Sequence, residues 1–198
     1  MARRRATNEV TLEFAFFNAL WYFYQANRKK IRSSYKELTR KFLDFNNPEK
    51  NPKAFLREPQ YEALEVYIFL KEFLHNAKVE LIFKEWFEKT GPFAGRLEGG
   101  VLKEGGQACL FDTVTEEQYS KVFELMRRNS RDYPNYIFAL TMGTGKTILM
   151  ATCIFYEFLL GNKYDKDPSY CHNALVFAPD KTVLHSLKEI EEFDLTLV

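Results

Sequence analysis

Asn135-Tyr-Ile-Phe-Ala-Leu-Thr-Met-Gly-Thr-Gly-Lys-Thr147 is the stretch that decides how this chain is read. A short apolar run, Tyr136 to Leu140, precedes Gly143, Gly145, Lys146 and Thr147, and a longer apolar run, Ile148 to Leu160, follows. Strand, glycine turn and helix in that order form the loop that cradles phosphate in nucleoside-triphosphate binders. Gly143 and Gly145 allow the tight turn that brings main-chain N–H groups against phosphate oxygens, and the helix N-terminus adds partial positive charge. In this reading Thr141 to Thr147, Met142 and Thr144 included, wrap the phosphates. Lys146 reaches the β- and γ-phosphates, and Thr147 sets its hydroxyl on Mg²⁺. The fuller pattern has a glycine where Leu140 stands, whereas the Gly-x-Gly-Lys-Thr half is intact. The competing reading is a glycine-rich turn whose lysine points to solvent.

Thr141-Met-Gly-Thr-Gly-Lys-Thr147 resembles motif I of superfamily 2 helicases and translocases, in the version found in type III restriction enzyme Res subunits and related DEAD/DEAH-type proteins. Thr141 and Met142 depart from that version at its first two positions. Ala174-Leu-Val-Phe-Ala-Pro-Asp-Lys-Thr-Val-Leu184 resembles motif Ia, a strand ending in proline and then a helix. Arg57-Glu-Pro-Gln-Tyr-Glu-Ala-Leu64 resembles the Arg-x-x-Gln-x-x-Ala segment whose glutamine reads adenine. The resemblance implies Gln60 as the adenine reader and Lys181 and Thr182 as contacts to a nucleic-acid backbone. Gln118, nearer to motif I in sequence, is the rival reader, although its place in Thr115-Glu-Glu-Gln118 already explains it as half of a capping box. For Gln60 the plain alternative is an exposed glutamine on a first helical turn, and for Thr182 a helix cap.

Composition bounds these readings. The chain has 198 residues, 46% apolar and 16% aromatic, enough for a packed core in one or two domains. Lysine and arginine total 28 against 27 acidic residues, so global charge makes no argument for nucleic acid. Cys109, Cys153 and Cys171 are scattered, as in a protein of the reducing cytoplasm rather than a disulfide framework. Cys171-His172, with His185, is too sparse for zinc. Arg3-Arg4-Arg5 precedes an apolar stretch that carries Glu13 and Asn18 and lacks a small-residue cleavage site. That argues against a signal peptide or a membrane span.

Read in order, Val10 to Phe45 contains neither glycine nor proline and repeats apolar residues at spacings of four and three. This predicts one long helix or a kinked pair, packed on its own domain or serving as a docking helix. Asn46-Asn47-Pro48 stops it. A second helical region, Ala54 or Pro59 to Lys89, ends at Gly91-Pro92. Residues 91–113 hold six of the nine glycines and read as a loop, with Ala108 to Phe111 a short strand. Thr115 opens a helix whose inner face carries Tyr119, Val122, Phe123 and Met126. The strand at Ala174 to Ala178, reached by a long crossover from Tyr136 to Leu140, implies parallel pairing. Leu184, Leu187 and Ile190 mark a last helix.

The predicted fold is therefore α/β. A helical N-terminal region (1–47) and a helical segment with a glycine-rich insertion (48–113) precede an incomplete RecA-like P-loop domain with parallel strands (114–198). The resemblance implies the N-terminal part of an ATP-dependent DNA helicase or translocase, with ATP and Mg²⁺ as cofactors. DNA and a modification (Mod-like) subunit are the partners it implies. The acidic motif II and the arginines of a second RecA-like domain do not appear, so nucleotide binding without turnover, and no catalytic residue in this chain, is expected. A nuclease would lie beyond residue 198. Two other classes remain open: a nucleotide-sensing subunit that docks a partner through its aromatic N-terminal helices, and a P-loop phosphotransferase.

Overall fold

The computed structural model describes residues 12–90, 103–104, 107–108, 115–141 and 143–177. The chain divides into two compact units, each assembled from two separated stretches. The first joins Met1–Ser33 to Phe69–Tyr136, and the second joins Ser34–Ile68 to Ile137–Val198.

In the first unit, α1 (Leu12–Ser33), α4 (Val79–Glu88) and α5 (Glu116–Asn129) pack through aromatic side chains. Phe16, Leu20, Phe23, Tyr24 and Ile31 of α1 are buried, whereas Phe17 is half exposed. The Phe16 ring meets Phe83 edge-on at 5.2 Å and Trp86 at 5.2 Å, and Phe87 stacks on Tyr119 at 4.1 Å. Edge-on and offset contacts of this kind suit the ring quadrupole. Helix α5 opens on the predicted capping box. Thr115 Oγ1 accepts the Gln118 N–H at 3.2 Å, and Gln118 Oε1 accepts the Thr115 N–H at 3.1 Å. Of the predicted inner face of α5, Val122 is buried while Tyr119, Phe123 and Met126 are half-buried.

Phe69–Phe73 forms a wider helical turn in which the Leu74 N–H donates to the Phe69 carbonyl five residues back, at 3.1 Å. His75 and Asn76 then adopt left-handed backbone (φ +56° and +57°), which stops the helix. The second predicted helical region is thereby split. Beyond the break Ile82 and Phe83 are buried and Leu81 is exposed. A two-residue antiparallel pair, β1 (Lys103–Glu104) with β2 (Gln107–Ala108), is the only strand pairing among the described residues.

In the second unit, α6 (Lys146–Lys163) is the central element, flanked by α2 (Glu37–Asn46) and α3 (Glu58–Ile68). Leu149, Ala151, Tyr156 and Leu160 of α6 are buried. Phe42 of α2 packs on Tyr156 at 5.4 Å, and Tyr67 of α3 meets the same ring edge-on at 6.2 Å. Glu157, also buried, accepts the Tyr67 hydroxyl at 2.6 Å and the Cys171 N–H at 3.1 Å. A carboxylate removed from water needs such donors. Lys36, at the entrance of α2, pairs with Asp167 and lies 4.3 Å from the ring centroids of both Tyr164 and Tyr170. The predicted Val10–Phe45 helix resolves into α1 and α2 with a break at residues 34–36. Ser33 Oγ takes the Lys30 carbonyl at 2.7 Å in the last turn of α1, a local bond that competes with helix continuation.

The parallel-strand prediction is overturned. Tyr136–Leu140 and residues 174–177 carry no ladder and run as irregular chain. Ile137, Leu175 and Phe177 are 93, 80 and 85% exposed, the opposite of a strand buried on both faces. A short apolar run is compatible with a strand but does not supply the neighbour whose N–H and C=O groups a strand requires. The described part of the chain is a helical assembly, not a doubly wound α/β domain. Ala178 and the predicted last helix lie outside the described residues.

Removing the fully buried Leu160 side chain (Leu160→Ala) is expected to lower unfolding free energy by about 3 kcal/mol in urea titration, against under about 1 kcal/mol for Ile148→Ala on the partly exposed side of the same helix. The Lys36 hydrogen bond, and then those from Ser169, hold the Asp167 carboxyl at about 2, below its ordinary 3.8. A depressed folded-state value stabilises above the unfolded-state value, and that contribution disappears as pH falls through the folded one. The stability gap between wild type and Asp167→Asn should be constant above about pH 5 and should close between about pH 4 and pH 2.

Candidate phosphate-binding site

The loop that precedes α6 is built from two left-handed glycines. Gly143 and Gly145 have φ of +74° and +71°, values that side-chain-bearing residues rarely adopt. Gly145 is the last residue before the helix, and its carbonyl accepts the first intrahelical bond, from the Leu149 N–H at 3.1 Å. The N–H groups of Lys146, Thr147 and Ile148 therefore have no partner inside the helix. They lie at its positive end, where an anion is favoured.

Lys146 folds back over the loop, and its Nζ donates to the Thr141 carbonyl at 2.8 Å. Thr144 Oγ1 donates to the same oxygen at 2.6 Å. One carbonyl thus gathers a lysine ammonium and a threonine hydroxyl at the mouth of the turn. Lys146 remains exposed enough to exchange this carbonyl for a phosphate oxygen, and Thr147 is half-buried behind it. Met142 lies outside the described residues, as do Lys181 and Thr182.

Gln60 is brought to the loop from 85 positions away. Its Nε2 donates to the Gly145 carbonyl at 2.8 Å, and its Oε1 accepts the Arg57 N–H at 2.7 Å. Gln60 is 2% exposed, so it is not the surface glutamine that was its alternative. The physical signal for this role is local. Arg57 precedes α3 and Gln60 is its third residue, so the glutamine returning to the Arg57 N–H is half of a capping box. Pro59 in the first turn was the available clue. Gln118, the rival, is exposed and committed to its own cap.

Burial and the neighbouring Glu157 carboxylate push the Tyr67 phenol well above its usual range. Burial, then Glu157, raises the Cys153 thiol to about 12, which makes it a packing group rather than a nucleophile. Among the described residues no three His, Cys, Asp or Glu side chains come together as a metal site. Also among the described residues, no helix is long and apolar enough to cross a membrane.

The two glycines should respond differently to alanine. At Gly143 an added Cβ meets nothing within 4 Å, so Gly143→Ala costs only the left-handed backbone, about 1 kcal/mol. At Gly145 the Cβ would stand 2.4 Å from Gln60 Nε2. Gly145→Ala should lower the thermal midpoint clearly further than Gly143→Ala in a parallel melt. No protein-family model matches the chain, and comparison with curated proteins and with solved structures likewise gives no match.

Proposed function

We propose that this chain binds the triphosphate of a nucleotide in the loop Thr141 to Thr147, with Mg²⁺ accompanying the ligand. The observation that carries the reading is the Lys146 ammonium held across the turn at the Thr141 carbonyl, above two left-handed glycines and a helix N-terminus. A phosphate entering the turn replaces that carbonyl as the partner of Lys146 and meets the free N–H groups of the first helical turn. Lys146 supplies the charge, the N–H groups the directional bonds, and Thr147 a hydroxyl for the metal.

A specific observation extends the reading towards a helicase-type motor of superfamily 2. The Arg-x-x-Gln segment and the Gly-x-Gly-Lys-Thr segment, far apart in sequence, meet through Gln60 and Gly145. In such a motor the partners would be DNA and a modification subunit, and the described residues contribute the phosphate loop and its support. Turnover needs a carboxylate that polarises water beside the γ-phosphate. Among the described residues Glu157 and Asp167 are tied instead to Tyr67 and Lys36, and the activity proposed for this chain is nucleotide binding without sustained hydrolysis.

Calorimetric titration with ATP–Mg²⁺ should give a single site, and Lys146→Ala should weaken it by at least about tenfold while circular dichroism and melting stay unchanged. Equal affinity in the variant would remove the phosphate-loop reading. Steady phosphate release abolished by Lys146→Ala would instead overturn the expectation of binding without turnover.

A further inference from the structure

A glutamine that reads a purine must present both ends of its amide on an open edge, the carbonyl to an amino group and the NH₂ to a ring nitrogen. Gln60 presents neither. Its oxygen is bound to the Arg57 N–H and its nitrogen to the Gly145 carbonyl, and the side chain is 2% exposed. The amide packs directly against the phosphate loop, as the 2.4 Å approach of its nitrogen to the Cβ position of Gly145 indicates. Swinging Gln60 out to a base would break both bonds, leaving the part-buried Arg57 N–H without this partner and the Gly145 carbonyl with the Leu149 N–H alone, a cost that base recognition would have to offset.

We infer that Gln60 is a positioning residue that locks the phosphate loop and not a base reader, so the site selects its ligand by polyphosphate and accepts purine and pyrimidine nucleotides alike. The Gly145 carbonyl receives two donors, Gln60 Nε2 and the Leu149 N–H. Those two bonds fix the direction of the peptide that turns from the glycine loop into α6, and so aim the first free N–H groups of the helix. Base identity has no part in that geometry. This inference rests on the triphosphate-binding reading above.

The test is a titration of the full chain with the Mg²⁺ complexes of ATP, GTP, CTP, UTP and inorganic tripolyphosphate, repeated with Gln60→Ala. The expected result is five affinities within about fivefold of one another in the wild type, all weakened in the variant by one common factor of about ten. An ATP preference above about tenfold overturns the inference while leaving the triphosphate site standing, as does a Gln60→Ala protein that loses ATP and keeps tripolyphosphate. Should Gln60→Ala fail to fold, the wild-type series alone decides. Failure of all five ligands to bind the wild type removes the phosphate-loop reading and this inference with it.

Discussion

Burial of α6 is the constraint on which the second unit depends. Its apolar residues occupy most of its circumference, so water is unfavourable on nearly every side. Its position is set by Phe42 of α2 and Tyr67 of α3 converging on Tyr156. A buried carboxylate on the same helix adds direction to what is otherwise non-directional packing. Glu157 is held by the Tyr67 hydroxyl and the Cys171 N–H, which fixes both rotation and height of the helix. Since the glycine loop ends where α6 begins, this packing also decides where Lys146 stands.

The site is supported from a second direction by α3. Two glutamines, Gln60 and Gln118, occupy the same place in their helices, the third residue, and both turn back to the N–H group ahead of the helix. Only Gln60 has its free amide nitrogen next to a carbonyl that matters, that of Gly145. The same local device thus closes a helix in one unit and couples a helix to a loop in the other. Helix start and glycine loop share one side chain, that of Gln60.

Several features were legible from residues alone. Thr115-Glu-Glu-Gln118 specifies its own cap because donor and acceptor lie three residues apart on one turn. Gly143 and Gly145 could be read as turn-formers, and Ile148 to Leu160 as a buried helix, since glycine backbone freedom and apolar length are local properties. The α/β reading failed at Tyr136–Leu140 and Ala174–Phe177 for the converse reason. Whether an apolar run becomes a strand depends on a neighbour to complete its hydrogen bonds, and neither run has a ladder partner among the described residues. The choice between neighbouring apolar residues on α1 has a similar origin. Phe16 and Phe17 are equally apolar, and it is Phe83 and Trp86 that select Phe16 for burial.

Sequence by itself determined the short-range chemistry: where helices start and stop, which glycines bend the chain, and which lysine stands at the helix entrance. Tertiary structure decided which partner each of those groups meets. Gln60 is a plausible reader of adenine as a string of letters, and becomes a buried brace once Gly145 comes within 2.8 Å of it. The difference is physical. Capping and turn geometry are settled within four or five residues, whereas a side-chain amide takes its role from whichever partner the fold delivers, here from 85 positions away.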